Sequence, residues 1–124
     1  MNVKIANSKI HLVLSSIEKI DTKHLDASEI INLISIKKEL QKAFEVIGES
    51  QEKILKEYDL KSVEGTYSWI GHEKSSEINE RIGGLLKEEY ELSVEPKVSE
   101  LNFYESVKGM KLNEIEELSN VLLK

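Results

Sequence analysis

Chemistry needs titratable or nucleophilic side chains at defined spacing, and the three histidines, His11, His24 and His72, are the first residues to inspect. Their separations fit no metal-ligand pattern. His72-Glu73 opens like a zinc-protease helix, but position 76 is Ser where the second histidine is required. The chain has no cysteine, so it has no thiolate nucleophile, thiolate metal site or disulfide. Gly83-Gly84 falls late in a helical pattern, whereas phosphate-binding glycines precede a helix N-terminus. Glu88-Glu89 and Glu116-Glu117 pair carboxylates in sequence. Neighbours on a helix point apart, so these read as solvated surface rather than a cation site. No serine sits in a nucleophile elbow. The sequence therefore argues for a non-enzymatic protein with no cofactor and no metal, because function must be argued from a site.

Recognition is better served. Tyr67-Ser68-Trp69-Ile70 clusters large side chains of the kind that dominate interface hot spots, which makes Tyr67, Trp69 and Ile70 candidate partner-binding residues. The competing and favoured reading is that Trp69, the only tryptophan, packs a loop onto a helical body.

The elements that would position these residues are mostly helical. The firmest is a long amphipathic helix over residues 27–58. Asp26 and Glu29 form a capping-box pair at its start, with Leu25 and Ile30 at hydrophobic-staple positions. Ile30, Leu33, Lys37, Leu40, Phe44, Ile47, Gln51, Ile54 and Tyr58 then follow at alternating spacings of three and four, a heptad-like seam. Glu49 with Lys53 and Glu52 with Lys56 are oriented as ion pairs. Gly48 disfavours helix by about 1 kcal/mol relative to alanine. The seam keeps its register across it, so the helix is read as continuous, with Gly48 admitting a close neighbour.

Such a helix is roughly 48 Å long at 1.5 Å per residue, against a radius of gyration of about 13–14 Å for a compact domain of this size. Three shorter helices cannot easily cover four heptads, so the seam is also a candidate self-association surface, and a homo-oligomer is expected. Lys37 and Gln51 on the seam are the type of polar residue that specifies register or partner.

Around this helix the alternation in residues 1–6 and 90–94 predicts two strands that need each other. Asn7 or Ser8 would cap a first helix over residues 8–19. Glu64-Gly65 before Tyr67 and Trp69 predicts a small hairpin or ordered loop. A third helix runs from Ser75 or Ser76 to about residue 89, with Gly83-Gly84 marking either close packing or local loosening. Residues 98–108 are ambiguous. Asn113 and Glu116 would cap a last helix carrying Ile115, Leu118, Val121 and Leu122. The fold class is mostly α, of α+β type: a long central helix, three shorter helices and a two- or three-stranded sheet, in one domain over residues 1–124.

The 124 residues suffice for a core without metals or disulfides. The net charge of −6 is uneven. Residues 1–72 carry 10 Lys and 11 Asp/Glu, whereas residues 73–124 carry 7 Lys/Arg and 12 Glu. No basic stripe exists for phosphates, so generic nucleic-acid binding is disfavoured. The apolar run Ile10-His11-Leu12-Val13-Leu14 is too short for a membrane span.

The run Glu77-Ile78-Asn79-Glu80-Arg81-Ile82-Gly83-Gly84-Leu85-Leu86-Lys87-Glu88-Glu89-Tyr90-Glu91-Leu92, then Val98-Ser99-Glu100-Leu101 and Leu112-Asn113-Glu114-Ile115-Glu116-Glu117-Leu118, resembles small uncharacterised proteins of tailed bacteriophages and prophages of low-GC bacteria. Their order of elements is similar: a short strand and helix, a long charged helix, then helix, strand and short helix. The Gly83-Gly84 pair and the Tyr67-to-Ile70 cluster depart from that pattern. The resemblance implies a phage protein in the host-cell cytoplasm or the virion, and implies no catalytic residues. The expected function is protein–protein contact, as a virion or assembly component. The alternatives are a small acidic inhibitor of a host defence protein and a small-ligand-binding protein.

Overall fold

A computed structural model of the chain describes residues 3–123. Strand β1 (Lys4–Ala6) leads through a 3-10 turn (Asn7–Lys9) into helix α1 (Ile10–Ile17). A second 3-10 turn (Thr22–His24) precedes the long helix α2 (Ala27–Glu57), followed by α3 (Ser75–Lys87), β2 (Glu89–Glu91), α4 (Glu100–Ser106) and α5 (Leu112–Leu122). The mostly helical class and the small sheet are as expected. Four rather than three shorter α-helices flank α2, because the ambiguous residues 98–108 contain α4. Ser99 starts it by accepting the Asn102 backbone N–H at 3.3 Å.

Helix α2 begins as its sequence dictates. Asp26 Oδ1 accepts the Glu29 N–H at 2.8 Å, and Glu29 Oε1 accepts the Asp26 N–H at 3.0 Å. Leu25 is buried and Ile30 packs on the same core. The helix runs unbroken through Gly48, but beyond its chain neighbours and the adjoining helix backbone no atom lies within 4 Å of where a Cβ there would sit. The expected close neighbour is therefore absent, and the same holds at Gly83 and Gly84, where α3 is also continuous. Of the two expected ion pairs, Glu52–Lys56 forms, at 3.1 Å. The C-terminus is a Schellman motif. Asp59 adopts φ 59°, and the Asp59 and Leu60 N–H groups donate to Lys56 O and Leu55 O at 3.1 and 3.3 Å.

The sheet pairs β1 with β2 antiparallel, Ile5 opposite Tyr90. The strand expected at residues 90–94 is shifted to Glu89–Glu91 for a specific reason. Leu92 still donates to Val3 O, but the next two amides, Ser93 and Val94, turn to the Glu39 carboxylate on α2. Of the other expected strand, Met1 and Asn2 lie outside the described residues. Two expected caps are also replaced. Asn7 sends its side-chain amide to Leu85 O at 2.9 Å, and α5 starts at Leu112, with Glu114 rather than Glu116 accepting the Lys111 N–H.

Two apolar clusters hold the fold. The main one joins Ile5, Ile10, Val13, Leu33, Ile36, Leu40, Ala43, Leu92, Phe103, Leu118 and Leu122, among others. The second, smaller one is Leu55, Ile78 and Ile82, with Ile54, Tyr58, Leu60, Tyr67, Trp69 and Leu86 packed on it. Helix α2 spans both. Its far end is thus covered within the chain, by α3 and by residues 60–74.

Candidate functional site

Residues 60–74 form the tip of the α2–α3 hairpin, and every turn in them has a local cause. Val63 and Thr66 exchange two backbone hydrogen bonds, of 2.8 and 3.0 Å, around Glu64 and Gly65. Both central residues have positive φ, 53° and 78°, as a two-residue hairpin turn requires. The expected small hairpin is therefore present, in its shortest form. Its aromatic residues then face the second core. Tyr67 donates its hydroxyl to Glu52 at 3.3 Å, and Trp69 donates its indole N–H to Asn79 Oδ1 at 2.6 Å. The bond and charge of Lys56, together with the Tyr67 hydroxyl, hold the Glu52 carboxyl below its ordinary value.

His72 closes the loop. Its Nδ1 accepts the Lys74 N–H at 3.0 Å, so the ring proton of the neutral form sits on Nε2, 3.3 Å from Tyr58 O. The ring stands edge-on to Tyr58 at 6.2 Å. Arg81 donates to the Tyr58 hydroxyl at 3.2 Å, lies over its ring and pairs with Glu57 at 2.6 Å. Its guanidinium is raised further by these bonds to Tyr58 and Glu57.

The three candidate partner-binding residues thus divide. Tyr67 and Trp69 are half-buried and hold the loop to the body, which is the packing role favoured for Trp69. Ile70, next in sequence, is 97% exposed.

The seam residues lie mostly against the chain's own elements. Leu33 and Leu40 are in the main core, with Ile30 and Ile47 packed on it. Lys37 pairs with Glu18, the C-cap of α1, and Phe44 stacks against His11 of α1 at 5.5 Å. Gln51 lines a cleft beneath Trp69, and Ile54 and Tyr58 join the second core. The buried stripe is rotated from the expected seam, with Ile36 and Ala43 in the core where Lys37 and Phe44 were placed.

That rotation brings polar residues onto the buried side, and sequence reasoning missed what they do. Glu29, Asn32 and Glu39 of α2 clasp the irregular segment between β2 and α4. Glu29 accepts the Ser99 N–H at 2.7 Å and the Asn102 side-chain amide at 2.7 Å. Asn32 donates to Glu95 O at 2.8 Å and accepts the Lys97 N–H at 2.9 Å. Glu39 accepts the Tyr90 hydroxyl at 2.6 Å and the Ser93 and Val94 N–H groups at 2.8 and 3.0 Å. Burial pushes both carboxyls up, but the donated hydrogen bonds outweigh it and hold Glu29 and Glu39 below the ordinary value. Tyr90 is pushed up to about 12, chiefly by its bond to Glu39 and then by burial. Three polar residues at helical spacing on one side of α2 were the available signal. The clasp leaves no buried side-chain nitrogen or oxygen without a partner, as a packing device requires.

Among the described residues no group of three or more His, Asp or Glu side chains is placed to hold a metal ion, and no helix is long and apolar enough to cross a membrane. Comparison with family models, with curated proteins and with solved structures yields no match.

Proposed function

We propose that this is a non-enzymatic, phage-encoded protein that works by protein–protein contact as a virion or assembly component, and that the hairpin tip is its contact surface. Ile70 carries the reading. It is 97% exposed while its neighbour Trp69 is anchored on Asn79. An apolar side chain is thereby held in water on an ordered turn. Burying it in a partner is worth about 1.5–3 kcal/mol, and the ordering cost of the loop is already met in the free protein. The similar order of elements in small phage proteins supports the origin. The partner can be another protein or a second copy of the chain.

A photo-crosslinking residue at position 70, in cells producing the intact chain, should trap one discrete adduct. The same residue at Glu91, exposed on the body, should not. No adduct at position 70, or the same products at both positions, refutes the tip as the contact surface.

A second reading, an acidic inhibitor of a host protein, draws on the exposed glutamates of α3 and β2, such as Glu77, Glu80, Glu89 and Glu91. It predicts that the adduct contains a host protein and that its capture weakens steeply as salt rises. An adduct containing a phage structural protein or the chain itself decides for the first reading.

A further inference from the structure

We propose that α2 and α3 bend together at a paired glycine hinge, Gly48 on α2 with Gly83 and Gly84 on α3, which moves the tip as a unit relative to the body. Glycine is the poorest helix former except proline, so a helix interior holds it at a cost. Two structural demands ordinarily justify it, and neither applies here. Gly65, Gly71 and Gly109 have positive φ, but Gly48, Gly83 and Gly84 do not. Beyond the adjoining turns of the same helix, no atom lies within 4 Å of a Cβ built at any of the three, so no packed neighbour approaches too closely for a side chain.

Their placement supplies the reason. On α2, Ala43 and Ile47 belong to the main core, Ile54 and Leu55 belong to the second, and Gly48 lies between them. On α3, Ile78 and Ile82 belong to the second core. The body takes hold of α3 just beyond the glycines, where Asn7 binds Leu85 O and its backbone N–H binds Glu88 O. The two weak points also share a level along the helix pair. Ser50 and Leu85 line one cleft, while Gly48, Gln51 and Ile82 line the next. A hairpin of two helices bends only if both yield at the same height, and here the glycines of both lie at that height. Open clefts of about 460 and 380 Å³, lined in part by Leu85 and by Gly48, leave room for the motion. Leu86 is the one α3 side chain that reaches across the junction to the second core, as expected of a side chain leaning toward its helix N-terminus.

The hinge does not depend on what Ile70 touches. The chain has no cysteine, so paired spin labels at Glu73→Cys on the tip and Glu116→Cys on the body report one distance. The unsubstituted glycine background should give a broad or two-peaked distance distribution. Gly48→Ala, Gly83→Ala and Gly84→Ala together should narrow it by half or more, with helical content kept or raised. A narrow distribution in the parent, or a broad one that the three alanines leave unchanged, overturns the hinge.

Discussion

Glu39 and Tyr90 share one hydrogen bond whose two ends titrate at opposite extremes of pH. The Glu39 carboxyl lies below its ordinary value of 4.5, so its contribution to stability is present above that value and lost as pH falls through the lower, folded-state value. Tyr90 is raised from 10 to about 12, so its contribution is complete below pH 10 and lost as pH rises through about 12. Urea midpoints measured across pH should therefore fall at both ends. Tyr90→Phe should remove part of the alkaline fall, and Glu39→Gln should flatten the acid one. Glu29 adds to the acid arm in the same sense. Its truncation to Ala should cost about 2–3 kcal/mol, since three donors lose a charged acceptor and the site is buried. Half of Glu29's role was legible in the sequence, because the capping box is a local pattern. The other half was not, because Ser99 and Asn102 lie about seventy residues away and nothing in their own surroundings points to α2.

Within the elements, the long helix and its start were readable, but the face it buries was not. Spacings of three and four admit two adjacent stripes that share Leu33, Leu40 and Ile47. The all-apolar appearance of Ile30 and Phe44 favoured one stripe, while Glu29 and Asn32 disguised the other. The two stripes predict different costs. Ile36→Ala should destabilise by about 2–5 kcal/mol, as a fully buried side chain whose loss leaves a cavity. Lys37→Ala should cost no more than about 1 kcal/mol, as a partly exposed ion pair with Glu18. Denaturant unfolding of the two variants separates the registers, and equal costs would sink the observed one. The helix end allows a gain as well. Asp59 holds φ 59°, a conformation that disfavours a side chain by about 1–2 kcal/mol, so Asp59→Gly should raise the thermal midpoint.

At the scale of the molecule, the length of α2 suggests a helix that three shorter ones cannot easily cover, and the structure covers its far end within the chain, by a second core. The packing of Trp69 onto the helical body was legible in the sequence; that residues 60–74 build a second core, separate from the first, was not. Their apolar positions are scattered between turns, and their packing depends on Tyr67 and Trp69 folding back onto Glu52 and Asn79. The two cores are unequal. Among the described residues the second has Leu55, Ile78 and Ile82 buried, against eighteen buried apolar residues in the first. A small cluster at the end of a helix pair opens at less cost than the body, so the tip should open as a separate unit below the global transition. Native-state hydrogen exchange should show amides of residues 54–58 and 75–82 sharing one opening free energy, clearly lower than that of Leu40 or Leu118. Leu55→Ala should lower protection of the tip alone, leaving that of the body unchanged. Phe103→Ala, in the main core, should lower protection of the body by about 3–5 kcal/mol, and that of the tip only where the global free energy falls below the tip's own opening free energy. A uniform loss of protection in Leu55→Ala would mean that α2 couples the two cores into one cooperative unit, and would refute the separate opening of the tip.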